Sequence, residues 1–208
     1  PLSDLIHGPY CMMPPELLHT SGSGLIMYMF KSLKKKNDKG KKITNHHEDL
    51  DKLHQRLNTL IKRQSERDFP RGSERNGIID GTKCQSTERF GNLFRLLCLA
   101  HTVAGKNALN YVWKKIGTNA KQFCNFIMLY LAMEAWFHTF NKKIEVKLAR
   151  IMIAKVLRLL KKVFPRKHGQ GHNIPKFHGM TKMQYYMCLF GSAINFYGGP
   201  DKSAHFFF

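Results

Sequence analysis

Acidic residues are scarce: 14 Asp and Glu stand against 34 Lys and Arg in 208 residues, a formal charge of +20. Metal-dependent phosphoryl transfer needs two or three carboxylates converging on Mg²⁺, so few positions qualify. Asp80, Glu88, Asp201 and Asp51 are the candidates outside plain helix caps. Long apolar runs are also missing. The longest, Phe123 to Phe140, is broken by Asn125, Glu134 and His138, which is too short and too polar for a membrane span. Five cysteines, an odd number without repeated spacing, argue against a disulfide framework and fit a reducing, intracellular compartment. There is no Walker loop, no G-x-G-x-x-G, no G-x-S-x-G and no HExxH. No repeat of 20 to 50 residues and no signal-peptide pattern occurs. The start at Pro1 and the end at Phe206-Phe207-Phe208 read as cut edges of a longer protein.

What is present suits a packed core. Apolar residues make up 43% and aromatics 12%, which excludes collagen-like, mucin-like and mainly disordered chains. The length suits one domain, or one and a half.

Apolar periodicity predicts a mainly helical chain. Pro14-Pro15 opens a helical segment over Glu16 to Lys36, with Gly22 and Gly24 weakening its first turns. Lys31 to Lys42 carries Lys at seven of twelve positions and reads as a solvated loop or a nuclear-targeting run. The next helix, 45 to 67, has Asn45 as cap and a Leu50, Leu53, Leu57, Leu60, Ile61 stripe. Gly72 to Gln85 reads as an ordered loop, with Ile78-Ile79 as one short strand at most. Further helices are expected over Phe90 to Val103, Lys106 to Ile116 after Gly105, Asn119 to Phe140, Lys142 to Phe164 and Thr181 to Phe190. Asn173 to His178 reads as a short strand, and Gly198-Gly199-Pro200 as a turn. The expected organisation is a segment 1–44 with a helix and a Lys-rich loop, a helical domain 45–190, and a C-terminal element 191–208.

The charge is concentrated. From Arg89 to Lys182 there are 18 Lys and Arg but two acids, Glu134 and Glu145, so this stretch carries +16. Turning by about 100° per residue places Lys143, Lys147, Arg150, Lys155, Arg158, Lys161 and Lys162 within an arc of about 140°. Val146, Ala149, Met152, Ile153, Val156, Leu157, Leu160, Val163 and Phe164 fall opposite. One reading is a track for a phosphate backbone, the other a solvated helix face. The near absence of acids favours the track, because the repulsion is uncompensated unless an anion binds. An anionic membrane surface fits less well, since an apolar face this wide is better used against a core.

Other candidates each have a plain alternative. Cys98 and His101 form a C-x2-H pair that can reach one metal if further ligands come from elsewhere, or else are a buried thiol and a helix-end histidine. His168, His172 and His178 are the possible extra donors. Asp80, in Ile78-Ile79-Asp80-Gly81, looks like a strand-end carboxylate and equally like a turn. Glu134 lies inside the most apolar helix and needs a partner, expected to be a nearby Lys or Arg. Met180, Met183, Tyr185, Tyr186, Met187 and Phe190 read as core, leaving one or two tyrosines at most for base stacking.

Three segments in order resemble a known family. These are Pro14-Pro15-Glu16-Leu17-Leu18-His19-Thr20 with Gly24-Leu25; Arg75-Asn76-Gly77-Ile78 through Ser86-Thr87-Glu88-Arg89 to Leu93; and Ile174-Pro175-Lys176-Phe177-His178 with Phe190-Gly191, Asn195-Phe196 and His205. The pattern resembles the large transposases of the Plavaka and Kyakuja-Dileera-Zisupton kind. That resemblance implies a mobile-element protein with an RNase H-like core, an Asp/Asp/Glu triad holding Mg²⁺, and a long helical insertion before the Glu. The chain would be mostly that insertion plus the approach to the last catalytic element. Where the family's Glu is expected, after Gly199-Pro200, this chain has Asp201-Lys202. The resemblance therefore implies a fragment that is not catalytic by itself and needs no cofactor, with Asp80 and Asp201 as the remaining carboxylates. Together the readings give a mainly α fold, a helical bundle with at most a small piece of an RNase H-like α/β core. The expected partner is DNA, with RNA as the alternative, in the nucleus and not in a membrane.

Overall fold

The computed structural model describes residues 17–33, 49–56, 78, 86–139, 145–166 and 175–196. The fold is mainly α, and no strand occurs among the described residues. A π-helix, Leu18–Ile26, runs into α1, Met27–Leu33. Residues 49–56 are helical and are called α2. Then come α3 (Ser86–His101), α4 (Val103–Ile116), α5 (Ala120–Phe137), α6 (Val146–Val163), α7 (Pro175–Phe190) and a 3₁₀ turn, Ala193–Phe196.

Neighbouring helices close a ring. α5 lies on α6, α6 on α7, α7 on the π-helix, the π-helix on α3, and α3 back on α5. Leu25, Ile26, Met29 and Phe30 from the N-terminal helices share one core with Leu96, Phe126, Ile153 and Met183. Each such buried side chain is worth roughly 1.5–3 kcal/mol relative to exposure. Phe164 anchors the end of α6 in this core. Its ring lies 6.2 Å from Phe123 and 5.7 Å from Phe126, centroid to centroid, and its carbonyl accepts from the Tyr28 hydroxyl at 2.9 Å.

Local chemistry explains most boundaries. α3 and α4 are separated by a single residue, Thr102, which caps α4. Its hydroxyl donates to the Leu99 carbonyl at 2.8 Å and accepts from the Gly105 N–H at 2.9 Å. The helix expected from Lys106 thus starts at Val103, because Gly105 is a close-approach residue inside it rather than a break. A Cβ on Gly105 would stand 1.9 Å from the Leu99 carbonyl oxygen. α4 ends at Gly117, at φ +78°, with the Thr118 N–H reaching back 2.9 Å to the Trp113 carbonyl, a Schellman closure. Asn119 caps α5, its side chain accepting from the Gln122 N–H at 3.0 Å.

Two expectations change. The first turns of the 16–36 helix are π-helical, over a Thr-Ser-Gly-Ser-Gly stretch that holds an α-helix poorly. Where a strand was expected up to His178, the chain is helical from Pro175, since proline's fixed φ and missing N–H suit a first helical turn. Of the predicted 45–67 helix, 49–56 are seen, with Leu50 buried. The Lys-rich stretch beyond Leu33, Ile79 and the Gly198-Gly199-Pro200 turn lie outside the described residues, as do His168 and His172.

Candidate nucleic-acid interface

α6 is built to present one face. Its sequence, Val146–Val163, holds no Gly, no Pro, no acid and no uncharged polar residue. Lys161 and Lys162 sit in the last turn, where they complement the negative end of the helix dipole. Phe164 closes it through its N–H to the Leu160 carbonyl at 2.8 Å, and Pro165 follows. Val146, Ala149, Ile153, Val156, Leu157, Leu160 and Val163 are buried against α5 and α7.

The opposite side carries the predicted cations. Lys147, Arg150, Lys155, Arg158, Lys161 and Lys162 are all exposed, on a single helix face. Among the described residues none of the six forms a salt bridge. Lys143 lies outside the described residues. The face also holds two apolar side chains that the cationic arc alone did not mark: Leu148, 57% exposed, and Ile151, 67% exposed. The signal was available, because Ile151 is four residues from Lys147 and so falls within the same arc.

Not every cation of the basic stretch faces outward. Arg89 and Arg95 on α3 are buried. Arg89 donates to the Gly22 carbonyl at 3.2 Å. Arg95 Nη1 lies 2.8 Å from His54 Nε2 on α2. These two arginines tie the π-helix and α2 to α3, so part of the +16 is structural.

The buried carboxylate of Glu134 has a different partner from the one expected. The Ser21 hydroxyl, on the π-helix, donates to Glu134 Oε1 and also bonds the Tyr130 hydroxyl. Burial pushes the Glu134 carboxyl up to about 8, with the Ser21 and Tyr130 hydrogen bonds opposing in part. The acid is thus neutral in the ordinary range and needs no cation, which corrects the expectation of a Lys or Arg. Tyr130 is raised well above its usual value, first by burial and then by the nearby Glu134. All three side chains are buried, so the trio is a packing device and not an open catalytic site.

The remaining candidates stand apart from α6. Cys98 is half-buried and His101 exposed at the end of α3. Among the described residues, no group of three or more His, Cys, Asp or Glu is placed to hold a metal. Burial pushes the Cys98 thiol up, and with it the cost of a thiolate. Asp80 and Asp201 lie outside the described residues. Asp51 accepts the Ile78 N–H at 2.9 Å and so has a structural use. In α7, Met180, Met183, Tyr186 and Met187 are buried as expected, while Tyr185 and Phe190 are exposed and pack edge-on and stacked against Tyr186. Cys98, Cys124 and Cys188 are free thiols. No described helix is long and apolar enough to cross a membrane. No protein-family model, curated protein or solved structure matches the chain.

Proposed function

We propose that this chain binds DNA through the exposed cationic face of α6. One observation carries the reading: six cations lie on one solvent-facing side of a single helix with no described acid paired to them. An isolated solvated helix would intersperse Glu with Lys, since opposite charges one turn apart stabilise it. Here the opposite flank is committed to the core, so the helix is anchored and the cations are held in a fixed array. Such an array releases counterions from a polyanion and gives affinity that falls steeply with salt.

The sequence pattern that resembles Plavaka and Kyakuja-Dileera-Zisupton transposases supports a further part of the proposal. The chain would be a piece of a transposon-derived, nuclear protein that holds DNA without cutting it alone. Asp201, standing where that family has Glu, supports the non-catalytic reading.

Fluorescence anisotropy on a labelled duplex tests the binding. With about six phosphate contacts, affinity is expected to drop by about 10³-fold between 50 and 200 mM salt. The double variant Lys155→Glu, Arg158→Glu is expected to nearly abolish it. Binding indifferent to both salt and these two charges would remove the proposal.

A further inference from the structure

We propose that α6 is a recognition helix lying in the major groove of B-form DNA, with Ile151 against a thymine methyl and Arg158 on a guanine. This deepens the DNA-binding reading and rests on it. A helix that merely follows the phosphate backbone needs cations alone. This one has a patterned face. Taking Lys147 as the origin and about 100° per residue, Arg158 falls at about 20° and Ile151 at about 40°, near the middle. Arg150 and Lys161 form one edge of the arc, at about 300° and 320°. Lys155 and Lys162 form the other, at about 80° and 60°. Cations on both edges match the two phosphate strands that wall a groove, while the middle faces base edges.

The spacing along the axis fits too. Seven residues separate Ile151 from Arg158, about 10.5 Å of rise. That is about three base pairs at roughly 3.4 Å each. Arg pairs with guanine O6 and N7, and an aliphatic side chain contacts the thymine methyl. Ile151 is 67% exposed and Leu148 57% exposed, so both are accessible to such contacts.

The same face argues against other polyanions. The major groove of A-form RNA is too deep and narrow to take a helix. Single strands are held by aromatic stacking, and α6 has no aromatic residue. An interfacial membrane helix needs a wide free apolar side, and that side of α6 is buried against α5 and α7.

Selection of duplexes from a random pool by the full chain, followed by anisotropy on the selected site, tests this. The expected site contains a thymine and a guanine about three base pairs apart. Replacing that thymine by deoxyuridine removes one methyl and should weaken binding by about fourfold. Ile151→Ala should weaken it to a similar degree, and the two changes together should cost no more than either one. Arg158→Lys should relax the preference for guanine, with circular dichroism confirming the fold. Equal affinity for all duplexes, still lost in Lys155→Glu, Arg158→Glu, would overturn base readout and leave the cationic track standing. Tighter binding to duplex RNA or to anionic phosphatidylserine vesicles would overturn it as well. No binding to any duplex would remove both readings together.

Discussion

Ser21 and Glu134 lie 113 positions apart in the chain, and the hydroxyl of the first donates to Oε1 of the second inside the core. The contact joins the π-helix to α5, with Tyr130 completing the trio. Its consequence is a pH dependence of stability. The Glu134 carboxyl is raised from 4.5 to about 8 in the fold. The folded state therefore holds a proton that the unfolded chain has lost, across that interval. Its stabilising contribution is complete below about pH 4.5 and is lost as pH rises towards 8. The loss amounts to a few kcal/mol in order of magnitude. Glu134→Gln keeps a neutral side chain at all pH values. Urea midpoints at pH 6 and pH 9 should differ less in the variant than in the parent, with the variant the more stable of the two at pH 9. Parallel pH profiles would contradict the assignment.

Gly105 and Gly117 are both required, for different reasons. A Cβ on Gly105 meets the Leu99 carbonyl oxygen at 1.9 Å and its carbon at 2.6 Å, and backbone cannot swing aside as a side chain does. Gly105→Ala should cost about 3 kcal/mol, the upper end for overpacking. Gly117 has open space around its missing Cβ but a φ of +78°. Gly117→Ala should cost about 1 kcal/mol of backbone strain alone. Thermal or urea melts should rank the two in that order; the reverse order would show that α3 and α4 are not held as close as described.

Arg95 and His54 fix α2 onto α3. A guanidinium can donate but not accept, so His54 Nε2 must be the acceptor in the 2.8 Å bond. His54→Phe keeps the ring and removes that acceptor from a buried cation. The loss should be about 1.5–3 kcal/mol, the range for hydrogen bonds to charged groups. The amides of residues 49–56 should then exchange with deuterium faster than those of α5. Unchanged melting would mean that the guanidinium finds an equal acceptor without His54.

The sequence was most readable where one period ran unbroken. α6 has apolar residues at helical spacing and charge everywhere else, so both its buried side and its cationic side followed from rotation alone. The closing ring of helices did not, because nothing in a single sequence says which apolar stripes meet. The π-helix was also hidden. Gly22 and Gly24 weaken an α-helix, but the groups the wide turn bonds, Tyr130 and Glu134, lie far away in the chain. A similar limit explains Glu134 itself: its neighbours in sequence are apolar, and the hydroxyl that bonds its Oε1 lies 113 positions earlier. Gly105 was expected just ahead of a helix and Pro175 within a short strand. Each lies inside a helix, one allowing a close approach and one opening a first turn. Ile151 lies four residues from Lys147, so the rotation that groups the cations also places it on their face.

The cations of α6 need not contribute equally, and salt dependence separates their roles. A lysine that touches a phosphate releases about one counterion, so removing it lowers the slope of log affinity against log salt by about one. Lys161 and Arg150 lie on one edge of the face and Lys155 and Lys162 on the other, so each single Ala variant is expected to lower the slope by about that amount on every duplex tested. Lys114 is equally exposed but stands on α4, outside this face. Lys114→Ala should therefore leave the slope as it is. If Lys114 and Lys161 proved interchangeable, net charge alone would drive association and the ordered face of α6 would have no special part in it.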